Sequence, residues 1–513
     1  MFVEQALAVE VLITQLLTLG PMTHRGALRS ASTPEDPMIA LLALAPLISL
    51  PPLVDNDSPQ WGAFRGNLGS GHASGTRVPD SLDPEGNLAW RVELPGGYSS
   101  PTVAGDRVFL TGSEGEELLT LAVDLGTGEE IWRQSLPFDG KRPGANSPAS
   151  PSPVTDGERV YVAFHSFGLA AYTIEGEALW RVEMEPFNIP HGLATSPVVH
   201  DGRVIFCVDQ DGGGFVAAFD AATGEELWRT ERPGVFHGYA TPSLFLPADG
   251  TAQVVVAGSM QVAGYSVDEG KKLWWADVGA WQTKGIPVIA GGQAWVNSFM
   301  VTLNEAGLPR MSGTFEEALS ERDEDGDGKI SKDEWDDPQL RMAWFVIDLD
   351  DDGFLDSTDW DYITLAGSRT GGLYSIRLDG EGDVTESHVD WSHDDRRGLP
   401  DAASPLLVDG LLYLLKTGGI LTALDADTGE VIKRERIGDS DQYYASPVFA
   451  EGRIVTASLG GLLTVVEAGA EWKVLSQTSV DEQVWSTPAL ADDRVLVRSQ
   501  EALWCFGQAD DED

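Results

Sequence analysis

Cysteine is almost missing from this chain. Only Cys207 and Cys505 occur in 513 residues, and they lie far apart. No C-x-x-C, C-x-x-C-H or adjacent Cys-Cys is present. That excludes a disulfide-rich scaffold, a thiolate zinc site and a covalently attached haem. Basic residues are scarce as well: 34 Lys plus Arg against 81 Asp plus Glu leave a net charge of −47. A surface this negative repels phosphate backbones, and no basic cluster suited to a duplex is found, so no nucleic acid partner is expected. The charge itself fits solubility or a salty environment. Also lacking are a Ser/His/Asp signature, a phosphate-binding loop and H-E-x-x-H.

What is present begins with 42% apolar residues and 16 Trp, enough for a sizeable core. The apolar run over 39–54, ending at Asp55, is short for a membrane span and carries prolines. It reads as the h-region of a signal peptide in a leader spanning 1–57, with His24, Arg25 and Arg29 as its positive flank. Met22 and Met38 are alternative starts, and no good A-x-A precedes Asp55. The expectation is export to the periplasm or beyond a bacterial envelope, with no transmembrane anchor in the mature chain.

A repeat dominates the rest. Ser100-Pro101, Ser152-Pro153, Ser196-Pro197, Thr241-Pro242, Ile286-Pro287, Ser404-Pro405, Ser446-Pro447 and Thr487-Pro488 each open an apolar strand followed by a Gly-containing turn. The prolines fall 52, 44, 45, 45, 118, 42 and 41 residues apart, so there are eight repeats and one insertion. Inside the third repeat four strands, A to D, are legible: from Pro197, Arg203–Val208, Phe215–Asp220 and Glu226–Thr230. Asp201-Gly202 and Thr223-Gly224 supply tight turns. Four-stranded units of this length are propeller blades. The expected fold is all-β: an eight-bladed β-propeller of four-stranded antiparallel blades, with a small α-helical insertion in blade five. A Trp closes strand D at Trp132, Trp180, Trp228, Trp274, Trp391 and Trp472, reading as core packing between blades. A lone strand near 88–93 is expected to complete the last blade and close the ring. The divisions are the leader 1–57, propeller 58–302, insertion 303–370, propeller 371–507 and an acidic tail 508–513.

The pattern Asp-x-x-Thr-Gly-x-x-x-Trp, as in Asp124…Thr127-Gly128…Trp132, resembles the tryptophan-docking repeat of PQQ-like β-propellers. These include quinoprotein alcohol dehydrogenases and the assembly lipoprotein BamB. The opening Trp61-Gly-Ala-Phe64-Arg65-Gly66 also looks like the start of exported proteins of this group. The resemblance covers 60–302 and 366–507. It implies fold more than activity. Its enzymes often set a vicinal disulfide against the quinone; Cys207 and Cys505, in strands of blades three and eight, cannot form one. PQQ is therefore not expected. BamB-like proteins carry a lipobox Cys after the leader, and none follows here.

The long interval exceeds a blade by about 70 residues. It holds Asp323-Glu-Asp325-Gly-Asp327-Gly328-Lys329-Ile330-Ser331-Lys-Asp-Glu334, which meets every position of the twelve-residue EF-hand loop. Asp323, Asp325 and Asp327 stand at 1, 3 and 5, the Lys329 carbonyl at 7, and Glu334 at 12. A second loop follows with Asp348, Asp350 and Asp352, the Phe354 carbonyl, and Asp359 in place of Glu. Two Ca²⁺ sites are expected, the second weaker because Asp359 is shorter. Thr314–Arg322 and Gln339–Ile347 read as helices, and Ile330 and Leu355 as a β-bridge coupling the loops. Because the insertion leaves strand B and rejoins at strand C, it is expected on the face that carries the D–A connections, beside the central funnel. His191 and His237, at like positions before their prolines, read as structural. The functional expectation is a non-enzymatic, calcium-binding interaction protein whose partner is an envelope or extracellular protein or a small ligand. A PQQ-dependent dehydrogenase and a BamB-like assembly scaffold stand as alternatives.

Overall fold

The computed structural model describes residues 60–507, apart from 142, 143, 234, 301, 303–310, 312, 337, 339, 340, 342, 343 and 351. The leader 1–57 with its h-region and the tail 508–513 lie outside the described residues.

Eight sheets form, each an antiparallel A–B–C–D meander. In blade three the strands are Val198–His200, Arg203–Val208, Gly214–Asp220 and Glu226–Arg232. Strands B and C are buried along nearly their whole length because neighbouring blades cover both faces. Strand D alternates exposed and half-buried residues, as an outer strand should. The eighth sheet is made from both ends of the chain: Leu88–Glu93 pairs antiparallel with Ala502–Phe506. This join shuts the ring and leaves no open gap between the first and last blades.

One sheet departs from four strands. Gly382–Asp383 adds a fifth strand, parallel to Lys272–Ala276 of blade four. It comes from the long C–D connection of blade five, which buries Val384 and donates its N–H to the Trp275 carbonyl at 2.8 Å.

The residue before each proline has a role that composition does not reveal. Proline offers no N–H, so the preceding residue carries the last donor before strand A. That N–H is given to the pre-proline hydroxyl of the next blade. Ser100 N bonds Ser152 Oγ (2.8 Å), Ser152 N bonds Ser196 Oγ (2.9 Å) and Ser196 N bonds Thr241 Oγ1 (2.9 Å). Beyond blade five, Ile286 N bonds Ser404 Oγ, Ser404 N bonds Ser446 Oγ and Ser446 N bonds Thr487 Oγ1. Thr487 N then returns to Ser100 Oγ at 2.9 Å. The belt is broken once, where Ile286 has no hydroxyl; there Ser243 Oγ donates to the Pro287 carbonyl instead.

A second inter-blade device is the Trp. Trp90, Trp132, Trp180, Trp228 and Trp391 each donate the indole N–H to a carbonyl of the following blade, at 2.9–3.2 Å. Each ring also lies flat on a turn glycine of that blade. A Cβ on Gly224 would stand 2.7 Å from Trp180. Trp274 and Trp472 differ from the others. Trp274 donates within its own blade to Gln253 Oε1, and Trp472 precedes the outer strand Lys473–Ser479 and buries itself in the core beside Tyr413.

Strands A of neighbouring blades adjoin and so line the axis. The segment from Trp61 to Ala73 runs against them. Trp61 pairs with Val103 of blade one, Gly62 accepts from Thr155 of blade two, and Gly71 and Ala73 bond Phe449 of blade seven. Arg65 is fully buried there, donating to the carbonyls of Pro405 (2.7 Å) and Pro447 (3.3 Å). Burial pushes its guanidinium down to about 9, which leaves it cationic at neutral pH. The chain thus fills part of its own channel.

Two glycine substitutions separate backbone strain from tryptophan docking. Gly202 and Gly224 both hold positive φ, at 68° and 75°, but only Gly224 faces an indole. Gly202→Ala should cost about 1–2 kcal/mol from the left-handed backbone alone. Gly224→Ala should cost about 1–3 kcal/mol more through overpacking against Trp180. Equal losses in urea titrations would show that the indole contact contributes nothing.

Candidate metal centre

Blade five is interrupted between strand B, Gln293–Phe299, and strand C, Gly371–Arg377, which pair across the gap in continuous register. Among the described residues of the inserted segment, helices run over Phe315–Arg322 (α1), Trp344–Ile347 (α2) and Ser357–Ala366 (α3). Thr314 caps α1 in a reciprocal box with Glu317. Of the helix expected over 339–347, Trp344–Ile347 is helical, and 339, 340, 342 and 343 lie outside the described residues. Helix α3 was not anticipated from the sequence. Its signal was there: Asp356 caps it and Asp359 returns the bond, a capping box hidden inside the acidic loop. Between the helices, Ile330 pairs with Leu355 in a two-residue antiparallel bridge.

The two acidic turns are built alike. In the first, Asp323 Oδ1 accepts from Gly326 N and Asp327 N, and Oδ2 from Gly328 N. In the second, Asp348 Oδ1 accepts from Asp352 N and Oδ2 from Gly353 N. Gly328 and Gly353 hold φ of 86° and 90°, which lets the chain turn inward after the third carboxylate. The twelfth residues also match. Glu334 accepts from the N–H of Glu324 and of Ser331; Asp359 accepts from the N–H of Leu349 and of Asp356. Those donors sit at loop positions 2 and 9 in both cases. The shorter Asp359 reaches them because it lies in the first turn of α3.

Within each turn, one carboxylate oxygen from every aspartate of the triplet lies within 4.8 Å of the others: Asp323, Asp325, Asp327, and Asp348, Asp350, Asp352. Oxygens about 2.3–2.6 Å from a common hard cation fall at such separations. The donor set is oxygen only, which suits Ca²⁺ or Mg²⁺ rather than zinc or copper. Lys329 and Phe354 offer their carbonyls, and the Lys329 ammonium meets Asp352 at 2.6 Å. Backbone donors hold the Glu334 carboxyl below its ordinary value. Burial instead pushes Asp359 up to about 7, with Asp356 and Asp350 adding repulsion.

The surroundings of the two turns differ. The aspartates at positions 3 and 5 are exposed in both turns, whereas Asp348 and Asp359 are buried where Asp323 and Glu334 are half-buried. The insert's apolar core, including Phe315, Ile330, Trp344, Leu355 and Trp360, continues into Phe236, Met260 and Trp281 of the ring. Phe236 and Trp281 belong to D–A connections and Met260 to a B–C connection, so the insert stands on that face, over blades three to five. Tyr362 of α3 anchors it through Ser259 Oγ and the Trp281 carbonyl. Nearby, His237 Nδ1 meets Asp211 at 2.8 Å and Nε2 meets Gln282 at 2.9 Å. His191 lies 6.3 Å from the Tyr239 ring. Neither histidine joins a metal-competent group among the described residues. Cys207 and Cys505 are buried and form no disulfide, in strand B of blade three and strand C of blade eight. No helix of the described residues is long and apolar enough to cross a membrane.

The family model described as outer membrane protein assembly factor BamB matches residues 81–184 and 116–296. Among curated proteins, the BamB of Bordetella pertussis is 27% identical over 179 residues, 34% of this chain and 39% of that protein. The BamB of Burkholderia pseudomallei is 25% identical over 251 residues, 46% and 58% of the two chains. The quinohemoprotein alcohol dehydrogenase ADH IIB of Pseudomonas putida is 29% identical over 154 residues, 28% and 21%. The chain thus spans well under two thirds of the length of these relatives. Among solved structures, BamB of Moraxella catarrhalis superposes with a TM-score of 0.51 at 11% identity, covering 83% of this chain and all of that one. A europium-containing methanol dehydrogenase superposes at 0.57 and 12%, covering 88% and 98%. By fold the chain is an eight-bladed β-propeller, and over residues 81–296 its repeats are PQQ-like.

Proposed function

We propose that this chain is an exported, calcium-binding β-propeller that works as a binding or interaction module rather than an enzyme. The insert is read as an EF-hand pair spanning 303–370. The carrying observation is that the two acidic turns share the residue order of the loop that calcium favours (three carboxylates, a glycine, a carbonyl position and a twelfth carboxylate) and the same backbone bonds to the first and twelfth carboxylates. Each loop would hold one Ca²⁺ through Asp323, Asp325, Asp327, Lys329 O and Glu334, or through Asp348, Asp350, Asp352, Phe354 O and Asp359. The ion would neutralise crowded charge and fix the geometry of the insert. Outside the cell calcium reaches roughly millimolar, which suits affinities of about 10⁻⁴–10⁻³ M.

The relatives favour a second reading, compatible with the first and equally supported: a scaffold in the envelope that takes part in outer-membrane protein assembly. It rests on the matches to outer membrane protein assembly factor BamB. The partner would then be another envelope protein. A quinone-dependent dehydrogenase has support from one relative over a fifth of its length. The separated Cys207 and Cys505 do not supply the paired thiols that reading would use. Adding PQQ and an alcohol and measuring dye reduction tests it directly.

Calorimetry should record two Ca²⁺ bound per chain. Glu334→Gln should weaken one of them by about tenfold or more, since it loses a bidentate ligand. No heat at millimolar calcium would end the calcium reading. Chelation should lower stability by about 2.7 kcal/mol for each site that was held at a hundred times its dissociation constant. For the scaffold reading, deleting the chain should reduce folded outer-membrane proteins in its host, and unchanged amounts would refute it.

A further inference from the structure

We infer that the two loops have different tasks: an ion in the second loop fastens the insert to blade three and steadies the segment that holds His237, whereas the first loop exchanges its ion without effect on the ring. This rests on the calcium reading above and adds a direction of coupling to it.

The second loop touches the ring at both ends. Asp350, its third position, packs on Gly212 in the B–C connection of blade three. A methyl group placed on Gly212 would lie 3.4 Å from both Cα and Cβ of Asp350. Asp359, its twelfth position, lies one helical turn before Tyr362, whose hydroxyl meets Ser259 and the Trp281 carbonyl. Among the described residues the hydrogen bonds of the first loop stay within the insert, and a Cβ on Gly326 or Gly328 would meet nothing within 4 Å, as is also true at Gly353.

What Gly212 belongs to makes the contact consequential. The connection starts at Asp209, locked by a buried two-pronged pair with Arg232 at 2.7 and 3.0 Å. Two residues later Asp211 accepts from both the backbone N–H of His237 and its ring. Gly212 and Gly213 follow with φ of 85° and 123°, the most permissive stretch of the connection. One side of this stretch is therefore rigid and the other rests on Asp350. One carboxylate oxygen from each of Asp348, Asp350 and Asp352 lies within 4.8 Å of the others, and the Lys329 ammonium meets Asp352 at 2.6 Å. A divalent ion offsets the repulsion among these carboxylates and fixes Asp350, so the surface against Gly212 becomes stiff.

The test is hydrogen exchange on the full chain, with and without calcium, in parallel with calorimetry, for the wild type, Asp325→Asn and Asp350→Asn. Both variants keep the side-chain shape. Calcium should slow exchange across 210–213 and at His237 by about tenfold in the wild type, equivalent to roughly 1.4 kcal/mol of local stability. Asp325→Asn should retain that protection and Asp350→Asn should lose it. If Asp350→Asn disturbs folding, Asp352→Asn replaces it, since the atoms nearest a side chain at Gly212 belong to Asp350 and Leu349. Two ions bound with unchanged exchange at 210–213 would overturn the inference and leave the calcium reading intact. Protection lost in Asp325→Asn but kept in Asp350→Asn would also overturn it. No calcium bound at all would bring down the reading and the inference together.

Discussion

The ring is held by what each blade does with the last N–H before its proline. Strand A is the innermost strand of each blade, meeting the Trp61–Ala73 segment at blades one, two and seven, and proline removes one donor from its start. Passing the preceding N–H to a hydroxyl on the next blade satisfies a buried group and sets the blade-to-blade register in one step. Each such bond is worth only about 1 kcal/mol net, but leaving one of these buried donors unmet costs more. Since Thr487 returns its N–H to Ser100, the belt is continuous across the junction of the chain's two ends. The strand exchange at Leu88–Glu93 then adds a sheet ladder to the same junction. Five tryptophans, Trp90, Trp132, Trp180, Trp228 and Trp391, complete the outer rim, each ring using the missing side chain of a glycine as its seat.

Against that closed frame the insertion is easy to accommodate. Strands B and C of blade five pair from Gln293–Arg377 to Phe299–Gly371, so the ladder is uninterrupted by the segment between them. Its position also coincides with the one gap in the hydroxyl belt, at Ile286. The acidic turns stand above blades three to five, while Tyr98, Trp485 and Tyr444 stack ring on ring at 4.6 and 4.9 Å over the opposite blades. The face carrying the D–A connections is therefore chemically divided, carboxylates to one side and aromatic rings to the other. The Trp61–Ala73 segment lies within the axis and narrows what that face can admit.

Much of this was legible in the residues. Eight Pro units, the four-strand rhythm and the excess length of one interval are periodic signals, and periodic signals survive without coordinates because every blade meets the same environment. The acidic loops were legible for a related reason: their carboxylates and glycines serve a local turn whose geometry depends on twelve consecutive residues. Less was legible where a residue serves a distant one. Nothing at Ser152 announces a partner at Ser100, and nothing at Arg65 announces the carbonyls of Pro405 and Pro447. Helix α3 was missed because Asp356 and Asp359 were counted as loop residues, although they also form a capping box.

The sequence alone therefore determined the number of blades, the place of the insertion and the composition of both acidic turns. All three follow from local pattern or from spacing along the chain. Tertiary structure decided that the channel is partly filled from within, that blade four takes a fifth strand, and that the second turn rests on the ring. Those outcomes depend on which surfaces meet after closure, and a contact such as Gly212 on Asp350, between residues far apart in the chain, leaves no periodic trace in either segment.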